Sequence, residues 1–398
     1  MKKRILVFCD LYLPGKNGGG GMWSVVNLVD RFNDQYDFFI VTRNFDGRSD
    51  NAPYTSVKTD EWNAVGDASV FYFSPGTLTT VKAAEIVREV EPAAVFLNSV
   101  FSLPVRRFLS ARRNGQFGNL PVVLASCGEM SKAALSIRPF KKKLFLKFAQ
   151  LFSLYNGVIW KGSFEQEADE IREVMGNDVE VMVAPDLIPR SILPDYSQHQ
   201  KPKKEPGKVS FVMIARVVPI KNVSYFLECL LDIRDGEVDV EIIGPPEDLA
   251  YWERCRQIIE RLPTNIRINA SGALSRSDAL TRAVSSHFFT LPTKNENFGY
   301  VFLEALAAGC PLLISDRTVW NDIESKNVGW QLPLDDPNKF IEQIRRCIDM
   351  DDVEYSKMSR NAREYALEWL ARPEIGEATA RVLDRAIHGV SKPITNAH

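Results

Sequence analysis

No C-x-x-C pair occurs in the chain's 398 residues, although it carries six cysteines, at positions 9, 127, 229, 255, 310 and 347. Their scatter excludes a zinc ribbon or a disulfide framework and points to a reducing, cytoplasmic setting. No run approaches the roughly 18 consecutive apolar residues of a membrane span. Lys2-Lys3-Arg4 followed by Ile5-Leu6-Val7-Phe8 could pass for a leader, but Asp10 cuts the apolar run too early. It reads better as a buried first strand. Excess charge is lacking too: the net charge is -2, so nothing global points to nucleic acid as a partner. Hydrophobic residues make up 45% and charged residues 25%, ordinary for a soluble globular protein, and the length suits two large domains.

Short buried strands alternate with helical stretches in both halves. In the first half the expected strands are Ile5–Phe8, Phe38–Val41, Val95–Leu97, Val122–Ala125 and Gly157–Trp160. Helices are expected at Trp23–Phe32, Val81–Glu89, Leu103–Arg113 and Lys132–Leu151. Such alternation implies a parallel sheet covered on both faces. A polar, proline-containing, aperiodic stretch at 196–208 reads as a linker. Beyond it, strands are expected at Val209–Ile214, Asp239–Ile243, Ile266–Asn269, His287–Leu291 and Pro311–Ile314. Helices lie near Val223–Asp232, Leu249–Arg261, Arg276–Ala283, Tyr300–Ala308, Asn338–Asp349 and Val353–Glu368. The expected division is a first domain at 1–195, the linker, a second domain at 209–380 and a tail at 381–398 that crosses back to the first.

The stretch Glu296-Asn297-Phe298-Gly299-Tyr300-Val301-Phe302-Leu303-Glu304 carries the most chemistry. Strand, polar loop, carboxylate, glycine and helix is how an α/β protein offers a helix start to an anionic ligand. Eight helical steps would separate the two Glu by about 12 Å, whereas a glycosidase needs its carboxylates roughly 5–9.5 Å apart. The pair therefore suits two ends of one long ligand, such as a sugar joined to a nucleoside through a pyrophosphate. The plainer alternative is a loop Glu and a helix-surface Glu, both solvated.

Other strand-end loops add to this. Arg216 and Lys221 stand five apart in the loop after the second half's first strand, and both suit phosphate oxygens. Gly244 ends the next strand, and Gly272 and Leu274 follow the third. Near the amino terminus, Pro14 and Gly18–Gly21 precede a helix expected from about Trp23. Four consecutive glycines make sense where backbone passes close to a ligand; a flexible loop is the alternative. The segment Ser131–Gln150 carries no acid; its basic part, 132–147, holds Lys132, Arg138, Lys141, Lys142, Lys143 and Lys147, and Phe140, Leu144, Phe145, Leu146 and Phe148 are interleaved. It points to an anionic membrane surface or a lipid-linked pyrophosphate, or else to a cationic helix with a core-facing apolar side. Asp349-Met350-Asp351 follows a late helix in an acidic run and reads as surface.

Together these residues resemble the retaining nucleotide-sugar glycosyltransferases of family four, with the GT-B fold. The likeness rests on Arg216 and Lys221 as R-x4-K, Gly272 and Leu274, Glu296 to Glu304 as E-x7-E, Pro311–Ser315, and Thr318, Trp320, Gly329 and Trp330. In the first domain it rests on Pro14, Gly18–Gly21 and Ser126-Cys127-Gly128-Glu129. The resemblance implies two Rossmann-like doubly wound domains facing across a cleft. It implies that Arg216 and Lys221 bind the donor diphosphate, Glu296 the transferred sugar and Glu304 the ribose. Backbone around Asn297, Phe298 and Gly299, with Gly19, Gly20, Gly244 and Leu274, would complete the donor site. It implies no cofactor and no metal, a nucleotide-sugar donor, a glycan or lipid-linked acceptor, and front-face attack with retention. Of the four histidines, none lies in a first-domain strand-end loop where an inverting enzyme would want a base. Two departures stand out: Cys127-Gly128 replaces a common histidine, and Pro185-Asp186-Leu187 replaces Pro-Asn-Gly. The alternatives are a nucleotide-sugar epimerase of the same fold and a non-catalytic nucleotide-sugar-binding subunit.

Overall fold

The computed structural model describes residues 2–15, 18–47, 52–113, 117–136, 139–188 and 201–389. The chain divides into two compact units, Met1–Ile192 with Arg372–His398 and Leu193–Ala371.

The first unit runs β1 (Lys3–Phe8), α1 (Gly19–Phe32), β2 (Tyr36–Arg43), β3 (Trp62–Val65), β4 (Ala68–Phe73), α2 (Thr80–Val90) and β5 (Ala94–Asn98). It continues α3 (Leu103–Arg113), β6 (Val122–Ala125), α4 (Lys132–Ser136), α5 (Pro139–Leu151), β7 (Val158–Gly162), α6 (Glu165–Met175) and β8 (Val181–Val183). The eight strands lie in the order β3-β4-β2-β1-β5-β6-β7-β8, parallel except for β3. Strands β5, β6 and β7 are buried along their whole length, as helices on both faces require. Phe8 of β1 meets Phe108 of α3 at 5.1 Å, and Trp160 of β7 meets Tyr155 at 5.1 Å.

The second unit runs β9 (Lys208–Ile214), α7 (Val223–Leu230), β10 (Glu237–Ile243), α8 (Leu249–Ile259), β11 (Ile266–Gly272), α9 (Arg276–Val284) and β12 (Phe288–Leu291). Then come α10 (Tyr300–Ala307), β13 (Leu312–Ser315), β14 (Gly329–Leu332), α11 (Pro337–Asp349) and α12 (Asp352–Leu370). Its sheet is parallel in the order β11-β10-β9-β12-β13-β14. The chain starts at the centre, walks to one edge, and returns to the other side of its first strand. The reversal falls between β9 and β12. In the first unit it falls between β1 and β5.

Several expectations need correction. The β3–β4 hairpin, α6, β8 and β14 were not anticipated. The hairpin turns on Gly66-Asp67, with Gly66 at φ +58°, between the paired Val65 and Ala68. Helix α1 begins at Gly19, one turn before Trp23, so Gly19–Gly21 form its first turn. The expected helix over Lys132–Leu151 is found as α4 and α5; residues 137–138, with Arg138, lie outside the described residues. Proline at the first position of α5 is tolerated because that N–H has no helical partner.

The final helix, α13 (Pro373–His388), packs on β5 and β6 of the first unit, with Ala378, Val382 and Leu383 among its buried residues. Arg385 pairs bidentately with Glu180 at 2.7 and 3.0 Å, and Tyr36 reaches Asp384 at 3.5 Å. The boundary therefore falls after Ala371 rather than at 380, and 381–388 are helix rather than tail. Of the expected linker, 196–200 lie outside the described residues, and 201–207 are fastened to the second unit. Lys204 is buried and donates to the carbonyls of Ile348 and Met350 at 2.8 and 2.9 Å. Lys201 donates to the Ala283 carbonyl at 2.9 Å.

Near these lysines, His287 lies buried at the start of β12. Its Nδ1 accepts the Ser210 backbone N–H at 3.0 Å. Burial, helped by the charges of Lys204 and Lys201, pushes its pKa down from 6.5 to about 4. Between those values the unfolded chain takes up a proton that the folded chain refuses. The stabilisation is complete above the unfolded pKa and is lost as pH falls towards the folded one, by about 3 kcal/mol in all. Urea unfolding at pH 7.5 and 4.5 should show a smaller acid loss for His287→Gln than for wild type. Equal losses would refute the assignment.

Candidate functional site

The carboxyl ends of β9 and β12 diverge at the reversal in the second unit, where open α/β sheets bind ligands. The β9–α7 loop carries Arg216 and Lys221. The β12–α10 loop carries Glu296. Lys221 Nζ and a Glu296 carboxylate oxygen are in direct contact across that point, and each side chain is 16% exposed. Backbone bonds fix both loops against each other. Lys294 N–H donates to the Ile220 carbonyl at 2.8 Å, and Thr293 Oγ1 donates to the same carbonyl at 3.1 Å. Glu296 N–H donates to Arg317 O at 3.1 Å.

The two helices that follow begin alike. Asn222 precedes α7 at φ +58°, and Gly299 precedes α10 at φ +74°. Neither start is capped by the side chain of its N-cap residue, whereas Asp248, Ser275 and Asp351 cap α8, α9 and α12. Tyr251 OH accepts one N–H of α7, from Ser224, at 2.9 Å. Gly299 is obligatory for space as well as φ: a Cβ there would lie 2.6 Å from the Phe302 ring and 2.9 Å from Glu296 Cγ.

Glu304 lies one turn into α10, largely buried, and Arg276 at the start of α9 holds it with Nε 2.8 Å from Oε1. Burial raises the Glu304 pKa and Arg276 opposes that rise. Arg216 is paired with Glu247 at 2.9 Å, both partly exposed. Neither Arg276 nor Glu247 was anticipated. Arg276 is the first residue of a helix expected from the sequence, in the same loop as Leu274, and a search for a cation opposite each carboxylate would have raised it.

The remaining anticipated residues divide by role. Gly244 ends β10 at φ +146°, and a Cβ there would sit 1.9 Å from the Ala215 carbonyl oxygen. Ala215 N–H donates to Ile243 O and Val217 N–H to Pro245 O, both at 2.9 Å, so Arg216 is clamped between two sheet-like bonds. Leu274 is partly exposed beyond Gly272, which adopts φ +67°. Phe298 is not a surface group. Its ring is buried among Tyr300, Trp320 and Trp369 at 5.0–5.5 Å, and its carbonyl accepts the Trp320 indole N–H at 2.6 Å. Only its backbone can serve a ligand. Asn297 lies in the loop between Glu296 and that anchor. Asp351 caps α12 through Glu354 N–H at 2.9 Å, so half of the Asp349–Asp351 motif is occupied by a helix start.

In the first unit, Gly19 adopts φ +56° with open space where a Cβ would be, and Gly20 is exposed. Asn98, at the end of β5, spans the reversal there. Its Nδ2 donates to Gly21 O at 2.6 Å, and its Oδ1 accepts from Cys127 Sγ at 2.8 Å. Glu129 accepts the N–H of Val100 at 2.6 Å and Ser99 Oγ at 3.0 Å. Glu167 accepts Gly128 and Ser163 N–H at 2.6 and 2.7 Å. Asp186, the departure from Pro-Asn-Gly, pairs with Lys161 at 3.0 Å. Burial opposes the Lys161 charge, but Asp186 and Glu167 outweigh it and raise its pKa. Asp186 thus answers a buried cation.

A concavity of about 410 Å³ opens at the opposite, amino edge of the second sheet, beside Lys208, Glu237 and Arg267. Arg267 is already paired with Asp239 at 2.6 Å and Lys208 with Glu205 at 3.4 Å. These two cations are answered within the concavity.

Residues 195–368 match the family model for glycosyl transferases group 1. No curated protein sequence matches the chain. Among solved structures, the sucrose-phosphate synthase of Thermosynechococcus elongatus is similar at TM-score 0.72 and 15% identity, over 96% of this chain and 99% of that one. Anabaena HepE in complex with UDP and glucose aligns at 0.68 and 15%, over 96% and 99%. WaaG, a glycosyltransferase of lipopolysaccharide biosynthesis, aligns at 0.64 and 12%, over 97% and 100%. The fold is therefore GT-B, two Rossmann-like α/β units in one chain.

Two glycine replacements separate close approach from backbone strain. Gly244→Ala should lower the unfolding free energy by more than about 2 kcal/mol, because its Cβ collides with backbone. Gly272→Ala has open space and should cost only about 1 kcal/mol, from its φ alone. Denaturant unfolding of both variants compares them; equal costs would refute the close-approach account.

Proposed function

We propose that the protein is a retaining, metal-independent glycosyltransferase. It moves a hexose or N-acetylhexosamine from a nucleotide-diphosphate sugar to a glycan or lipid-linked acceptor in surface polysaccharide synthesis. The observation that carries this reading is the Lys221–Glu296 contact at the β9/β12 reversal, beside two helix starts without N-cap side-chain caps. A cation and those helix starts suit a diphosphate. A carboxylate touching that cation suits a hydroxyl on the sugar one bond away. The match to glycosyl transferases group 1 and the fold shared with HepE, whose complex holds UDP and glucose, support a nucleotide-sugar donor. The fold shared with WaaG favours a glycan-building setting.

In this reading the donor diphosphate displaces two ion pairs. Lys221 turns from Glu296 to the phosphate, and Arg216 turns from Glu247. Both then stabilise the charge that grows on the leaving nucleotide, the part of the reaction where fixed charge counts most. Glu296, released, accepts from the sugar. Glu304 accepts from the ribose, with Arg276 holding its carboxylate in place. Leu274 offers an apolar edge to the nucleoside. The backbone of Asn297–Gly299 meets phosphate. In the first unit, Gly19 and Gly20 leave the start of α1 uncovered for a ligand. The acceptor attacks the face from which the phosphate leaves, and a phosphate oxygen takes its proton.

Nucleotide release from a panel of donors, with and without glycan acceptors, tests the reading. Lys221→Ala should lower kcat by about 10²–10³-fold with a smaller effect on donor KM. Glu304→Ala should raise donor KM roughly tenfold with less effect on kcat. Chelation with EDTA should leave turnover unchanged, and its abolition would overturn metal independence. If wild type released no more nucleotide than Lys221→Ala with every donor and acceptor, the transferase reading fails. A changed sugar released without acceptor would favour an epimerase.

A further inference from the structure

Helix α5 turns its apolar stripe outward. Phe140, Leu144, Phe148 and Leu151 are 80%, 57%, 55% and 76% exposed. At 3.6 residues per turn these four fall within an arc of about 80°. The opposite side of the same helix is its attachment. Leu146 and Ala149 are buried, and the Phe145 ring meets Phe101 at 5.7 Å. Lys142 points inward and donates to Ala134 O at 2.7 Å. The core is thus served without the outer stripe. The sequence alternative of a cationic helix whose apolar side is core holds for one side only.

The flanks of the stripe are cationic. Lys141 borders it on one side and Lys143 and Lys147 on the other, all exposed. Among the described residues no ion pair engages any of the three. No acidic residue occurs between Ser131 and Phe164. An uncompensated cationic border around a row of exposed phenylalanine and leucine has one complement: a surface that is anionic outside and apolar just beneath. An acidic protein groove takes such a helix by wrapping around it, but Leu146 and Ala149 already bury the opposite side of α5 against the first unit. A second copy of this helix would set lysine against lysine.

We propose that α5 docks the first unit on an anionic lipid bilayer. The helix lies in the plane of the interface, with Phe140, Leu144, Phe148 and Leu151 at the acyl boundary and the three lysines at the head groups. This stands apart from the donor site, so either can fail without the other. Each lysine near such a surface contributes about fivefold to partitioning, and the three together on the order of 100-fold.

Co-sedimentation of the full chain with vesicles of phosphatidylcholine, with and without phosphatidylglycerol, tests this. Wild type should sediment with the anionic vesicles, release as salt rises, and ignore pure phosphatidylcholine. Lys141→Gln/Lys143→Gln/Lys147→Gln should lose at least tenfold in binding. Phe140→Ser/Leu144→Ser/Phe148→Ser should lose it as well while keeping all the charge. Both triple variants change exposed side chains, and unchanged thermal unfolding confirms that they fold. Lys221→Ala should sediment like wild type. Binding that survives either triple variant, or that is equal on neutral vesicles, overturns the proposal. So does concentration-dependent dimerisation that the apolar variant abolishes without any vesicle binding by wild type.

Discussion

A parallel sheet that begins at its centre must reverse once, and there the loops of two neighbouring strands leave in opposite directions. The Lys221–Glu296 contact depends on that divergence. Of the neighbouring pairs in this sheet, β9 and β12 are the one whose following connections run to opposite sides. The divergence also brings two helix starts to the same place, each approached through a residue in the left-handed region, Asn222 and Gly299. Lys221 and Glu296 meet because the backbones of their loops are bonded to each other at Ile220 and Lys294. The ion pair is a consequence of connectivity before it is a feature of side chains.

The two units use carboxylates differently. In the first, Glu129 and Glu167 are buried and accept backbone N–H groups of Val100, Gly128 and Ser163. Those carboxylates hold loops, and removing one would orphan several donors at once. In the second unit, Glu296, Glu304 and Glu247 each face a cationic side chain. A side-chain partner can rotate away when an anion arrives; a backbone N–H cannot. The Glu129 and Glu167 bonds fix strand-end loops of the first unit, whereas the pairs of Glu296 and Glu247 in the second are between side chains that can exchange partners.

The reach of the sequence follows the physics of each signal. Buried parallel strands such as Ile5–Phe8 and Val122–Ala125 were legible because a continuous apolar run has few other uses. The β3–β4 hairpin was not legible although Gly66-Asp67 is a fair two-residue turn, because an antiparallel edge strand breaks the strand–helix alternation of the rest of the sheet. Positions of Arg216, Lys221, Glu296 and Glu304 were readable by spacing, but their partners were not. Arg276 lies 28 residues from Glu304 and Glu247 lies 31 from Arg216, and spacing carries no information across such gaps. Phe298 illustrates the converse. Its neighbours Asn297 and Gly299 mark a loop, and only the packing of Trp320 and Trp369 reveals that the ring is core.

Helix α13 carries one more implication. It lies on β5 and β6, yet the whole of the second unit stands between those strands and the helix in the chain. A ribosome therefore delivers the second unit complete while the first still lacks its cover over β5 and β6. Domains ordinarily mature from the amino end as they emerge. Here the order is inverted: the unit begun first is closed last, when Val382 and Leu383 arrive. Until then the exposed faces of β5 and β6 belong to a partly assembled sheet, and the interval is set by the translation time of the second unit.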